Sequence, residues 1–461
     1  MTSETTIAAI RFGYGLGPGV RPVGPDLPEA LLSGLSGTDV MARRYPVKST
    51  REAVALARAM RMAKRKAKKA PRGSGGAAGS EERKRRLLAR QVSGLGLLHG
   101  IARILDSETA FRERLVWFWE DHFTAVAKNL AMRLAAPAYV DEAIRPHVAG
   151  RFPDMLKAVV THPFMLTYLD QSASVGPNSR LGKRRGAGLN ENLARELMEL
   201  HTLGVGASYT QDDVRQLAEL LTGLSFRPGK GFVFNPLMAE PGAETVLGKR
   251  YGGKGRARLE DILAVLDDLA LHPDTAAHVS RKLAVHFVSD TPDPALVGAI
   301  TAAYRDSGGN LIACYRAMLE HPAAWGPLGN KAKKPFDFIA SALVAFGLRG
   351  QDLLGLKERE QIRLLARPLQ AMGQPFMGSR GPDGWPEEAE NWITPQGLAV
   401  RIAWSTDVAE RLAGRAGDPR SFLDSTLGDA AGAGLRRAVA EAPGRAEGIA
   451  LVLSSAEFNR R

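Results

Sequence analysis

A single cysteine, Cys314, in 461 residues leaves no partner for an internal disulfide and excludes any cysteine-cluster zinc or iron-sulfur site. Alone, it reads as a small buried hydrophobe. No run of eighteen apolar residues occurs, so no helix is expected to span a membrane. The first residues, MTSETTIAAIRFGYGLGPG, lack the basic stretch followed by an apolar one that marks an export signal. Arg43-Arg44 comes too late and no apolar segment follows it, so a cytoplasmic location is expected. Also missing are H-E-x-x-H, a G-x-S-x-G elbow, a Walker loop and any repeat of 30 to 50 residues. The glycines of RFGYGLGPGV do not follow G-x-G-x-x-G, because Pro18 and Val20 interrupt the spacing. That stretch reads as a loop lying over something.

What is present begins with charge. The formal net charge is +13, yet residues 58–90 hold 13 Lys or Arg against Glu81 and Glu82, which leaves the rest of the chain at +2. The basicity belongs to one segment. PRGSGGAAGS lies between helical compositions at 51–70 and 81–106, which places a basic flexible insertion at 60–86. Residues 58–90 could grip an anionic partner, whether nucleic acid or a membrane surface, or could simply be solvated helix ends. Charge alone carries the nucleic-acid reading, since no recognition motif accompanies it.

The strongest helix signal is Leu189 to Gly206, LNENLARELMELHTLGVG. At about 100° per residue, Glu191, Arg195 and Glu199 fall in one line with Asn192 beside them, and Leu193, Leu197 and Leu200 fall opposite. Gly204 and Gly206 stop the helix, and Thr210 with Asp213 caps a second one, Gln211 to Thr222, so the pair forms a hairpin. The ladder reads either as a solvated set of i, i+4 pairs or as a polar network serving a site, since Asn190 and Asn192 stand where better helix formers would fit. Glu196, Glu199 and His201 invite a divalent-metal reading. His201, however, winds about 160° away from Glu199, to the side of Ala194 and Leu197, and so reads first as a core histidine.

Four further stretches supply candidates. RERLVWFWEDHFTA at 112–125 puts Leu115, Trp119 and His122 on one helical face, making His122 either a core histidine bonded to backbone or an acid/base group. Asp170, Ser172, Ser174 and Asn178 crowd a polar loop just before the ladder, which makes that loop the best site candidate by composition. His278 and His286 flank Lys282 and read as a polar flank, because a cation between them would repel a metal. Trp385 and Trp392 in the Pro/Gly loop 374–396 would suit sugar stacking or anchor the loop. The catalytic candidates are thus Glu191, Arg195, Glu199, Asp170 and His122, and the binding candidates Asn190, Asn192, Ser172, Asn178, His201 and Trp385.

The expected fold is mainly α, a multi-helix bundle of antiparallel hairpins around Leu189 to Leu203. A Gly-rich irregular or β insertion is expected at 225–258, where GFVF and TVLGKRY could be short strands, and a helical C-terminal part at 350–461.

FWEDHF at 118–123, HPFMLTYLDQSAS at 162–174, the long block NENLARELMELHTLGVGASYTQDDVRQLAELLTG at 190–223, HPDTAAHVSRKLAVHFVSDTP at 272–292, NKAKKPFDFIASAL at 330–343 and GPDGWPEEAENW at 381–392 occur together and in order. This combination resembles the bacterial domain of unknown function 1800, over nearly the whole of 1–461 as one unit. The resemblance identifies no reaction and leaves open whether the chain is an enzyme. It does imply a partner, because such proteins are often encoded beside exported hydrolase-like proteins of the DUF 1501 family. A member without a signal could then be carried folded to the periplasm with that partner. The chain departs from many relatives in having Glu120-Asp121 before His122, where a second histidine is usual, and no histidine in FNPLMAEPGAE. Any metal that those histidines bind elsewhere would lack them here.

Overall fold

In a computed structural model of the chain, residues 2–20, 26–69, 94–185, 188–253 and 255–461 are described. The expected insertion at 60–86 falls within this description only as far as Lys69, where the helix Thr50–Lys69 is described to its end. The remainder of that insertion and most of the 58–90 basic segment lie outside the described residues.

The architecture is mainly α with two small antiparallel hairpins of strand, as the helical periodicities predict. Among the described residues no helix is long and apolar enough to cross a membrane. In the first hairpin β1 (Leu224–Arg227) pairs with β2 (Gly231–Phe234), Leu224 opposite Phe234. In the second, β3 (Ala243–Val246) pairs with β4 (Lys249–Gly252), Val246 opposite Lys249. GFVF is therefore a strand, but TVLGKRY is not one strand. It folds back at Leu247 (φ 50°) and Gly248 (φ 75°), a two-residue turn whose positive φ angles match the twist of the flanking strands. Leu247 holds this unfavourable conformation with its backbone N–H on Asp213 Oδ1 at 2.7 Å.

Two large apolar cores organise the helices among the described residues, with a small third cluster at Ala53, Ala57, Leu134 and Ala135. The first gathers Phe111, Leu115, Trp119, Phe152, Leu217 and Phe287, with others from residues 12 to 324. Trp119 and Tyr315 are fully buried there, and their polar tips are satisfied in series: Trp119 Nε1 donates to Tyr315 Oη (2.7 Å), which donates to the Val148 carbonyl (3.0 Å). The second core gathers Ile101, Phe338, Leu343, Trp404, Val408 and Ile449. Cys314 is buried in the first core, consistent with its role as a small hydrophobe. The N-terminal loop does lie over something: Gly13, Gly15 and Gly19 line a cavity of about 600 Å³ with residues of 104–111 and 344–351.

The helix Ala110–His122 belongs to both cores. Phe111, Leu115 and Trp119 point into the first, while Trp117 packs on the second against Phe336, ring centroids 4.8 Å apart. Its i, i+3, i+7 positions Arg114, Trp117 and Asp121 therefore face the seam between the cores. The helix Pro335–Ala345 forms the other wall, and Pro335 at its first turn costs no hydrogen bond.

Candidate functional site

The polar ladder is at the surface. The helix Asn192–Glu196 continues as a wider-turn segment Leu197–His201, and the hairpin closes into the helix Gln211–Leu220 through the Thr210–Asp213 capping box. Arg195 lies 3.3 Å from both Glu191 Oε2 and Glu199 Oε1, and Gln211 accepts from Arg195 and donates to Glu191. With the Arg195 side chain 39% exposed, this is a solvated set of pairs. Glu199→Ala is accordingly expected to change stability by no more than about 0.5 kcal/mol. It should also leave metal content unchanged; denaturant unfolding and elemental analysis check both.

The loop residues ahead of the ladder do not meet in one pocket. Asp170, in a left-handed conformation (φ 56°), pairs with Lys128 at the surface. Ser174 Oγ accepts from the Asn190 backbone and Asn190 Oδ1 from the Asn192 backbone, so these residues fix the approach to the ladder helix. Asn178 donates to Glu240 Oε1 at 2.6 Å, and Ser172 sits half-buried in a short 3-10 turn. The link from this loop to the ladder begins with the short helix Arg180–Arg185.

His122 and His201 are core histidines. His122 Nε2 lies 3.2 Å from the His201 carbonyl, the backbone bond expected of it, and His201 is 0% exposed with neither ring nitrogen hydrogen-bonded among the described residues. Burial followed by the nearby Lys282 holds His201 down at about 3 and His278 at about 4, and places His122 well below the ordinary range. His278 and His286, expected on a polar flank, are instead turned inward. His278 bonds the Leu200 carbonyl (3.1 Å) and His286 bonds Glu387. Lys282, between them, is half-buried rather than exposed, with Asp121 and Glu387 the opposing charges that act on it. Among the described residues no group of three or more His, Cys, Asp or Glu is arranged to hold a metal ion. The ladder and histidines thus do not fit the divalent metal that their spacing invites.

The groups that do converge lie on the seam. Lys334 donates to Asp121 Oδ2 (2.7 Å) and Glu387 Oε1 (2.9 Å), and Glu387 Oε1 also lies 2.6 Å from His286 Nδ1. Glu387 Oε2 accepts from Lys331 (3.0 Å), which also donates to Asp290 Oδ1 (2.5 Å). Burial alone would raise Glu387, but His286, Lys334 and Lys331 outweigh it and hold the carboxyl well below its usual range. The same cluster fastens the loop that carries Trp385. Asp121 Oδ1 accepts from the Trp385 backbone at 2.8 Å, and Gly384 (φ 82°) passes so close that a Cβ would lie 2.6 Å from the Asp121 carbonyl. Only glycine fits there. Trp385 is a half-buried anchor, edge-on to Trp392 at 6.1 Å.

Beside this paired network, a small cleft of about 50 Å³ is lined by Tyr14, Arg114, Trp117, Glu120, Lys334 and Trp385, among others. Four of its polar groups are unlike the rest. Tyr14 Oη, Trp117 Nε1, and Arg114 Nε and Nη2 are buried without a hydrogen-bond partner among the described residues. The Glu120 carboxyl, pushed up to about 8 by burial and then by Asp121, is uncharged at neutral pH. This concentration of unmet donors around one cleft makes it the candidate binding site.

Sequence reasoning passed over this face by following the wrong side of one helix. His122 drew attention to positions 115, 119 and 122, while the cleft is built from 114, 117, 120 and 121. The signal was available in the segments themselves. FWEDHF, HPDTAAHVSRKLAVHFVSDTP, NKAKKPFDFIASAL and GPDGWPEEAENW supply Asp121, His286, Lys334 and Glu387 respectively, and these four meet.

The sequence profile of a family described as "Protein of unknown function (DUF1800)" matches residues 8–460. No curated protein and no solved structure matches the chain.

Proposed function

We propose, from the premise that this chain belongs to the DUF1800 family, that it is an enzyme of the general acid–base type acting on a small ligand in the Tyr14–Arg114–Glu120 cleft. The observation that carries this reading is the Glu120 carboxyl, 8% exposed, on a cleft with unpartnered donors and beside a network of paired charges; burial there favours its protonated form. A carboxylic acid held neutral at pH 7 by a water-poor site can hand its proton to a ligand oxygen or nitrogen and recover it afterward. Lys334, Glu387 and His286 have a different task. Their bonds to one another fix Asp121 and the Trp385 loop, and so the shape of the cleft.

Purified protein assayed against panels of small esters, amides and hydroxy acids tests this. Turnover should fall by about 10²-fold or more in Glu120→Gln and persist in Glu199→Ala; equal rates in wild type and Glu120→Gln would overturn the reading. A stability measurement accompanies it. Glu120 has a folded value of about 8 against an ordinary 4.5, so the folded state holds a proton that the unfolded state releases, and stability is lost as pH rises between those values. Glu120→Gln should therefore become more stable relative to wild type as pH is raised from 5 to 8, measured by urea unfolding.

The accessory role beside an exported DUF 1501-type partner, and with it a periplasmic location, rests on the family resemblance. Co-purification from the native cell tests it.

A further inference from the structure

Arg114 is 2% exposed, and its guanidinium is only half used. Nη1 is paired with Asp337 Oδ2 at 2.8 Å, while Nε and Nη2, the two nitrogens of the opposite edge, have no partner among the described residues. That edge presents two parallel N–H groups, the fork that fits the two oxygens of a carboxylate. Tyr14, 3% exposed, stacks under the same guanidinium with its ring centroid 5.1 Å from Arg114 Cζ, and its hydroxyl is also unpartnered. Trp117 Nε1, one helical turn along from Arg114, is a third unmet donor on the same cleft.

Charge distinguishes an anion from a neutral acceptor. Asp337 faces Arg114 at 2.8 Å and Arg461 at 4.0 Å, and it is the first carboxylate to act on both Lys333 and Arg401. Arg461 is 1% exposed and its three guanidinium nitrogens make no hydrogen bond among the described residues, and Lys333 rests on the Phe458 ring at 4.1 Å. Asp337 is therefore shared between Arg114 on the cleft and three basic groups outside its lining, Arg461, Arg401 and Lys333, the last held down at about 7 by burial. Buried cations without matching anions are costly, and a bound anion would relieve them.

We infer that the cleft binds a small carboxylate, gripped by the Arg114 Nε/Nη2 edge and by the Tyr14 and Trp117 donors, with Glu120 facing the remainder of the ligand. A volume of about 50 Å³ limits the enclosed part to a few heavy atoms. The inference rests on the site proposed above and names its substrate class.

Titration calorimetry of the full-length protein with sodium acetate and sodium formate, at constant ionic strength in chloride, tests it. Wild type should bind at least one of them, with affinity reduced tenfold or more in Arg114→Lys, which keeps the charge but loses the fork. Tyr14→Phe, which removes a hydroxyl that has no partner to lose, should bind more weakly while unfolding at the wild-type midpoint. No binding by wild type, or equal affinity in wild type and both variants, would overturn the inference. Binding by Glu120→Gln separates the two proposals. Retained acetate binding with undiminished turnover in that variant would leave the carboxylate site standing and remove Glu120 as the acid. Turnover dependent on Glu120 without binding of either anion would do the reverse.

Discussion

Lys334→Ala is expected to lower the unfolding free energy by about 3–5 kcal/mol, the cost of leaving buried carboxylates without their cation. The side chain of Lys334 is 6% exposed and lies between Asp121 at 2.7 Å and Glu387 at 2.9 Å, with Asp121 and Glu387 themselves under one-fifth exposed. Lys331 remains on the far oxygen of Glu387, so the loss falls mainly on Asp121 and on the loop that Asp121 holds through the Trp385 backbone. Urea unfolding should show a lower midpoint with an unchanged slope, because the folded state stays compact. Adding Asp121→Asn to Lys334→Ala should recover part of the loss, since the second change removes the abandoned charge. A drop of less than about 1 kcal/mol would place the network with exposed ion pairs, which contribute that little.

Acid should unfold the protein in a window set by its histidines. A histidine with a depressed folded value stays neutral while its unfolded counterpart takes up a proton. Its effect is absent above the ordinary value of 6.5, and stability is lost as pH falls from there toward the folded value. For His201, at about 3, the full span is worth about 4–5 kcal/mol, and for His278, at about 4, about 3 kcal/mol. His122 acts in the same direction. Glu387 adds to the loss lower down, below the ordinary 4.5 of a glutamate, because its ion pairs require ionisation. Glu120 opposes the trend, gaining stability as pH falls from about 8 toward 4.5, so single variants are needed to separate the contributions. His201→Leu should cost little at pH 8, since neither ring nitrogen has a hydrogen bond to lose among the described residues, and should be stabilised relative to wild type at pH 5. Identical pH slopes in wild type and His201→Leu would contradict this.

The sequence made the elements legible more readily than the site. The hairpin around Gly204 and Gly206, the capping box at Thr210, the β insertion and the core placement of His201 all follow from local rules of period and capping, which act within one or two turns. The ladder of Glu191, Arg195 and Glu199 was readable as geometry, yet its spacing is equally that of a solvated helix face, and such a face it proved to be. The cleft gathers residues 14, 114, 120, 334 and 385, which only tertiary packing brings together. Asp121 and Lys334 are 213 positions apart, a distance no periodicity can bridge. Lys282 shows the same limit. A lone lysine between two histidines reads as exposed until Asp121 and Glu387 are known to face it.

The central claim, that Glu120 is a neutral acid at the seam between the two cores, is tested most directly by infrared titration of wild type against Glu120→Gln. A protonated-carboxyl band that persists through neutral pH, disappears near pH 8 and is missing from the variant is the predicted result. A Glu120 carboxyl already ionised near pH 5 would contradict it.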